Sequence, residues 1–269
     1  MLAPVIRNRI GVRALCQPHI VLSKRFASQK APRGVPSDQV GLPVRFYIPP
    51  SYASYPSILQ SPMGWVRLVA RRVYNFGRNT AQIGFARFSG GFKPEFLLWK
   101  NEAVDIFVKV NKAFAKRKIE SVKDTLTIWS RVPLLKRQET LPGSFEFDWK
   151  LVKLLNPPKL EVFLPYALPG QPLDKVLIIY KFNSIQRLIK LNKKTQEVST
   201  SDDTIENHLA FVVDLNTNKL KLCGSTFESS VDESIDVVQP KNSGTVMKIQ
   251  GDIFRVNDNA LKESMDLGI

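Results

Sequence analysis

Pro142-Gly143-Ser144-Phe145-Glu146-Phe147-Asp148-Trp149-Lys150 marks the point at which this chain changes its period. Phe145, Phe147 and Trp149 alternate with Glu146, Asp148 and Lys150, the two-residue repeat of a half-buried strand. Upstream the apolar residues recur three and four apart instead. Trp99, Ala103, Ile106, Phe107, Val110, Ala113 and Phe114 predict a helix over residues 95–117, opened by Lys93-Pro94. Lys116-Arg117-Lys118 closes it, where positive charge complements the helix dipole. Another helix is expected over 119–136, interrupted at Pro133. Downstream, strands are expected over 159–164, 175–182, 187–191, 208–215, 219–223 and 246–256, with hairpin turns at Asn183-Ser184 and Asn216-Thr217-Asn218. The acid-rich stretch 229–239 reads as a mobile loop. Helices first and antiparallel strands after specify an α+β fold, with N-terminal helices packed on a curved antiparallel sheet.

Ahead of residue 95 lies a helix of different character. Trp65, Val66, Val69, Val73 and Phe76 share an arc of about 100°, while Arg67, Arg71 and Arg78 cluster opposite and Arg72 flanks the apolar side. It is expected to end near Gly77, with a second short helix over 80–88 before the Ser89-Gly90-Gly91 break. Fourteen lysines and arginines fall in residues 1–94 against the single acid Asp38, whereas residues 95–269 carry 25 basic and 23 acidic side chains. A field this lopsided directs an anionic partner to the N-terminal third. Phosphate contacts and lipid headgroups both ask for such charges, so Arg67, Arg71, Arg72, Arg78, Arg87 and Lys93 are candidate rRNA or anionic-lipid contacts. Trp65, Val66, Val69, Val73 and Phe76 are the candidate membrane-interface residues. The competing reading is a solvated helix face.

Residues 1–27 hold Arg7, Arg9, Arg13, Lys24 and Arg25, no acid, and apolar residues at helical spacing, the character of a mitochondrial transit peptide. A basic arm that stays attached is the alternative. Residues 28–62 form a proline-rich arm, with seven prolines between 31 and 62, read as a linker or as an arm laid over a surface. A single α+β domain is expected over 63–256 and a flexible tail over 257–269. No apolar run reaches the 18 residues of a bilayer-spanning helix. Two cysteines, Cys16 and Cys223, make no disulfide framework.

No motif for catalysis stands out. His208 is the one histidine outside the address segment and reads as a strand-edge residue. Ser89-Gly90-Gly91 lacks the lysine and hydroxyl of a phosphate loop. Glu146 and Asp148 share a strand face but alternate with aromatic residues, so they read as solvent-facing. Neither enzyme activity, cofactor, metal nor small-molecule substrate is expected.

Arg71-Arg72-Val73-Tyr74-Asn75-Phe76-Gly77, Ala86-Arg87-Phe88-Ser89-Gly90-Gly91-Phe92-Lys93-Pro94 and Phe96-Leu97-Leu98-Trp99-Lys100-Asn101 resemble the fungal family of mitochondrial inner-membrane ribosome receptors, relatives of mitochondrial large-subunit ribosomal protein forty-five. Leu141-Pro142-Gly143, Asp148-Trp149, Tyr180-Lys181-Phe182, Gln186-Arg187-Leu188-Ile189-Lys190, Gly224-Ser225 and Gly251-Asp252-Ile253 extend the likeness over about residues 45–256. The resemblance implies a peripheral protein on the matrix face of the inner membrane, holding the mitoribosome's tunnel exit near the insertase for cotranslational insertion. Its implied partners are the large ribosomal subunit, with its rRNA and tunnel-exit proteins, the insertase and an anionic lipid surface. The implied fold is that of the import-motor anchor's membrane-binding domain, a nuclear-transport-factor-two-like cone. A stable structural subunit of the large ribosomal subunit is the alternative, and a ligand-binding or isomerase-like cone the remote one.

Overall fold

Prolines and turn-forming residues sit inside the strands of this protein, and the architecture shows why the sequence tolerates them. A computed structural model describes residues 36–42, 46–88, 91–166 and 173–230, all within one unit running from Gly34 onward. The address segment with Cys16 and His19, Ser89-Gly90, residues 231–239 of the expected mobile loop, the 246–256 strand and the tail lie outside the described residues. Three helices, α1 (Pro62–Phe88), α2 (Phe96–Ala115) and α3 (Ile128–Thr140), precede four strands, β1 (Phe145–Tyr166), β2 (Lys175–Asn192), β3 (Val198–Asp214) and β4 (Lys219–Thr226). The strands form one open antiparallel sheet in the order β1-β2-β3-β4. The expected α+β arrangement is what the chain adopts.

The strands are longer than their apolar signatures. β1 joins the expected strand at Phe145 to the one over 159–164, although Pro157 and Pro158 lie between them. It is an edge strand, where a missing N–H need not break a ladder, and its register slips between Asn156 and Lys159 absorb the prolines. β2 runs straight through Asn183-Ser184, where a hairpin was expected, in unbroken register with β3. Ser184 is buried there and accepts a hydrogen bond from Gln186 at 3.0 Å, so its polar group is satisfied inside the sheet rather than in a turn. The turn at Asn216-Thr217-Asn218 does form. Asp214 Oδ1 accepts the N–H groups of Asn216 and Thr217, and Asn218 takes the left-handed conformation at φ 54°.

Both faces of the sheet are covered. α2 lays Trp99, Ala103, Ile106, Phe107 and Val110 on one face, against Tyr180, Phe182 and Phe211. Trp99 is core, its indole N–H donating to Asn218 at 2.6 Å. The other face packs under Val40, Leu42, Phe46 and Ile48 of the proline-rich arm, which meet Leu177, Ile179, Ala210 and Val212. That double cover explains why Lys175–Tyr180 is buried without alternation. The expected helix over 119–136 divides into a 3-10 segment, Ile119–Thr125, and α3, with Pro133 inside α3. Residues 126–130 close the β4 edge: the Thr127 N–H and the Ser130 hydroxyl both donate to the Leu222 carbonyl, at 2.9 and 2.7 Å.

Candidate functional site

Helix α1 opens at Pro62, whose fixed φ suits the first helical position. It runs as one helix through Gly77 and Gly84 to Phe88, rather than as the two short helices its glycines suggest. An interior glycine costs about 1 kcal/mol relative to alanine, and tertiary bonds on either side of Gly77 offset that cost. Those bonds come from Asn75 and Asn79, two of the four residues of the helix's buried line, Leu68, Asn75, Asn79 and Ala86.

Two of these four are asparagines because the line faces the free edge of β1. Asn79 Nδ2 donates to the Glu161 carbonyl at 2.7 Å and Asn75 Nδ2 donates to the same oxygen at 3.3 Å. The Phe163 N–H in turn donates to Asn79 Oδ1 at 3.3 Å. A side-chain amide carries both a donor and an acceptor, as a neighbouring strand would, so α1 closes the sheet edge with hydrogen bonds.

The consequence is an outward apolar arc. The buried line sits roughly 110° round the helix from the centre of the Trp65–Phe76 arc. Val66, Val73 and Phe76 are 55, 64 and 74% exposed, while Trp65 and Val69 are half-buried. Met63, Tyr74, Phe85 and Phe88 extend the exposed series, Phe88 to 92%. Large exposed apolar patches on soluble proteins mark interaction surfaces.

The six basic candidates separate into two groups. Arg72 is a clasp: its guanidinium lies 4.0 Å from the Tyr52 ring centre, donates to the Pro50 carbonyl at 2.6 Å and to the Tyr55 hydroxyl at 3.2 Å. Arg71 stands 5.8 Å from the Tyr47 ring, and burial pushes the Tyr47 hydroxyl above its ordinary pKa against the lowering pull of Arg71. Arg78 donates to Asn75 Oδ1 at 2.9 Å, and partial burial lowers its pKa. These three therefore help hold the arm and the β1 edge. Arg67, Arg87 and Lys93 are exposed, and α1 carries no acid. Among the described residues no carboxylate pairs with them.

A second polar cluster escaped the sequence reading. His208 is 4% exposed on β3, an interior strand, and not an edge residue. Glu206, His208 and Glu228 bring ligand atoms within 4.8 Å of one another. The Lys181 ammonium already ion-pairs with Glu206 and reaches Glu228 at 3.5 Å, so the cluster holds a cation of its own. Glu228 also accepts the Ser51 N–H at 2.9 Å, and Ser229 exchanges hydrogen bonds with Ile48. The group therefore anchors the arm. Burial, then Lys181, lowers the His208 pKa to about 4. The register places Lys181 opposite His208, but only the long-range pairing of β2 with β3 reveals it. On β1, Glu146 is exposed and Asp148 pairs with Lys150 at 3.7 Å.

The family described as MBA1-like protein matches the chain over residues 27–259. A relative from Saccharomyces cerevisiae (strain ATCC 204508 / S288c), named inner membrane mitoribosome receptor MBA1, mitochondrial, is 35% identical over 220 residues, covering 81% of this chain and 79% of the yeast protein. Among solved structures, the intermembrane-space region of the chloroplast protein ARC6 aligns over 52% of this chain and 100% of that chain, at 13% identity and a TM-score of 0.36. That likeness is too slight to carry an argument.

Proposed function

The chain belongs to the MBA1-like protein family, and we infer that it is a peripheral receptor on the matrix side of the mitochondrial inner membrane that binds the mitoribosome. It holds the large subunit, through rRNA and proteins at the tunnel exit, close to the insertase, so that apolar nascent chains enter the bilayer during synthesis. The role is non-enzymatic, as the receptor name of the yeast relative suggests. Residues 1–27 are its removable address, 28–62 the arm, 63–256 the working domain and 257–269 the tail.

One observation carries the reading at this chain's own residues. α1 turns Val66, Val73, Phe76 and Phe88 to solvent and Asn75 and Asn79 inward, the reverse of a helix whose only partner is its own core. Laid on a bilayer, that arc enters the acyl boundary while Arg67 and Arg87 stay among the headgroups. Each fully buried Val or Phe side chain contributes about 1.5–3 kcal/mol and each cation near an anionic surface about 1 kcal/mol. Among the described residues no helix is long and apolar enough to cross a membrane. Arg67, Arg87 and Lys93 are equally suited to rRNA phosphates wherever they do not face lipid.

The test uses the mature chain in two assays, flotation with cardiolipin-containing liposomes and cosedimentation with mitoribosomes. Both should succeed and weaken with salt. Val73→Asp with Phe76→Asp should abolish flotation with the circular dichroism unchanged. Absent or salt-insensitive binding in both assays would sink the reading.

A further inference from the structure

Buried polar atoms without hydrogen-bond partners are rare in folded proteins, and each asks for an explanation. Three of those among the described residues, His208 Nε2, Asn183 Oδ1 and Glu228 Oε1, belong to one patch of the sheet. The register sets Lys181 opposite His208 and Asn183 opposite Glu206. Residues two apart on a strand share a face. All four therefore lie on the face that the arm covers further along, at Leu177, Ile179, Ala210 and Val212. Glu228, just past β4, completes the group beside Ser51 of the arm.

Ligand atoms of Glu206, His208 and Glu228 lie within 4.8 Å of one another. Around a zinc ion with bonds of about 2.1 Å, tetrahedral donors stand about 3.4 Å apart. Small side-chain rotations bring the three to that spacing. His208 is 4% exposed, and burial, then Lys181, lowers its pKa to about 4. Its imidazole is therefore neutral near physiological pH, the form that a metal binds. Glu228 accepts the Ser51 N–H through Oε2, which leaves Oε1 for the group. Asn183 Oδ1 offers a further oxygen on the same face.

The Lys181 ammonium occupies part of this space. It ion-pairs with Glu206 and stands 3.5 Å from Glu228 Oε1, but it makes no hydrogen bond to His208 Nε2. One ammonium against two carboxylates also leaves the group net negative. A dication would bond all three ligands at once, which the lysine does not. The Lys181 side chain is 22% exposed, and its flexible four-carbon stem lets the ammonium swing to solvent.

We propose that Glu206, His208 and Glu228 form a zinc site, in which the ion takes the place of the Lys181 ammonium and ties β3 to the segment that anchors the arm. Two carboxylates and one imidazole leave a fourth position for water. That donor set suits Zn2+ or Co2+ ahead of Mg2+ and Ca2+, which take oxygen ligands. The site shares no residue with the α1 surface and stands without the receptor reading.

The experiment titrates Co2+, whose visible absorption reports coordination, into the untagged full chain after chelator treatment, and then displaces it with Zn2+. Saturable binding of a single equivalent is expected, displaced by Zn2+ and not by Mg2+. His208 is the one histidine beyond His19. In chain labelled with 15N-histidine, its Nε2 resonance should therefore shift when Zn2+ is added. His208→Gln, and Glu228→Gln, which can still accept the Ser51 N–H, should each weaken binding at least about tenfold. Lys181→Met keeps the stem and removes the competing cation, so it should tighten binding several-fold. Absent binding in both the wild type and Lys181→Met overturns the proposal, as does an unmoved His208 resonance. Undiminished binding in both glutamine variants with native circular dichroism overturns it too, and so does unchanged or weaker binding in Lys181→Met. Should a glutamine variant fail to fold, the His208 resonance and Lys181→Met decide the matter.

Discussion

Replacing Asn79 by leucine asks directly which side of α1 faces the protein. Asn79 makes two hydrogen bonds at the β1 edge, as donor to the Glu161 carbonyl at 2.7 Å and as acceptor from the Phe163 N–H at 3.3 Å. Leucine removes both. The Glu161 carbonyl keeps the longer bond from Asn75, but the Phe163 N–H belongs to a residue with 0% exposure and is left without a partner. An orphaned buried N–H costs about 1–3 kcal/mol and the lost short bond about 1 more, while leucine returns roughly 0.5 kcal/mol in helix propensity. The expected net loss is about 1.5–3.5 kcal/mol, or roughly 4–10 °C in Tm for a domain of this size. Urea unfolding followed by far-ultraviolet circular dichroism and tryptophan fluorescence measures it. Asn75→Ala should cost less, and the two changes should not add, because both side chains serve the Glu161 carbonyl. If the apolar arc faced the core, Asn79 would lie toward water and leucine would be neutral or stabilising. A change within about 0.5 kcal/mol of wild type therefore refutes the inverted orientation.

Two further outcomes follow from the arm. Arg72→Lys keeps the charge but not the fork that spans the Pro50 carbonyl and the Tyr55 hydroxyl over the Tyr52 ring, so about 1–3 kcal/mol should be lost. Chymotrypsin should then cut faster after Tyr52, and an unchanged digest would show that the clasp holds nothing. His208 is buried and neutral beside Lys181, Glu206 and Glu228, with its pKa lowered to about 4 from 6.5. The unfolded chain therefore takes up a proton below pH 6.5 that the folded chain refuses until about pH 4. Its contribution to stability is complete above pH 6.5 and is lost as pH falls between those values, at up to about 1.4 kcal/mol per pH unit. His208→Gln should make the acid limb shallower by up to that slope in urea titrations between pH 4 and 7, and an identical slope would show that His208 does not titrate there.

The helix-then-strand order was legible because it rests on period, and period is local. Trp99, Ala103, Ile106, Phe107, Val110 and Ala113 fall on the buried face of α2 as their spacing predicts. Strand ends were not legible. Ser199–Glu206 has no apolar alternation and is strand because it pairs residue by residue with β2. Pro157-Pro158 reads as a break and is bridged because, among the described strands, β1 pairs with β2 alone. At the candidate site the outward arc and the basic residues were visible. What Arg71, Arg72 and Arg78 touch was not, since Tyr47, Pro50, Tyr52, Tyr55 and Asn75 reach them only through tertiary packing. Asn75 and Asn79, one turn apart on one side of a helix without acids, were the available signal for an edge-closing helix.

Why α1 leaves so much apolar surface outside follows from what the sheet needs covered. It has two faces and two edges. α2 takes one face, and the arm through Val40, Leu42, Phe46 and Ile48 takes the other. Residues 126–130 take the β4 edge, and only the β1 edge remains for α1. A strand edge presents N–H and C=O groups, and hydrogen bonds rather than apolar burial satisfy it. A polar line of two asparagines is the fitting solution, and among the described residues nothing covers the Val66–Val73–Phe76 side. Had the arm been absent, that apolar side could have covered the second face of the sheet. With the arm in place, no described residue of the chain meets the outer side of the apolar arc. An anionic bilayer surface meets both its apolar residues and the exposed arginines of the same helix.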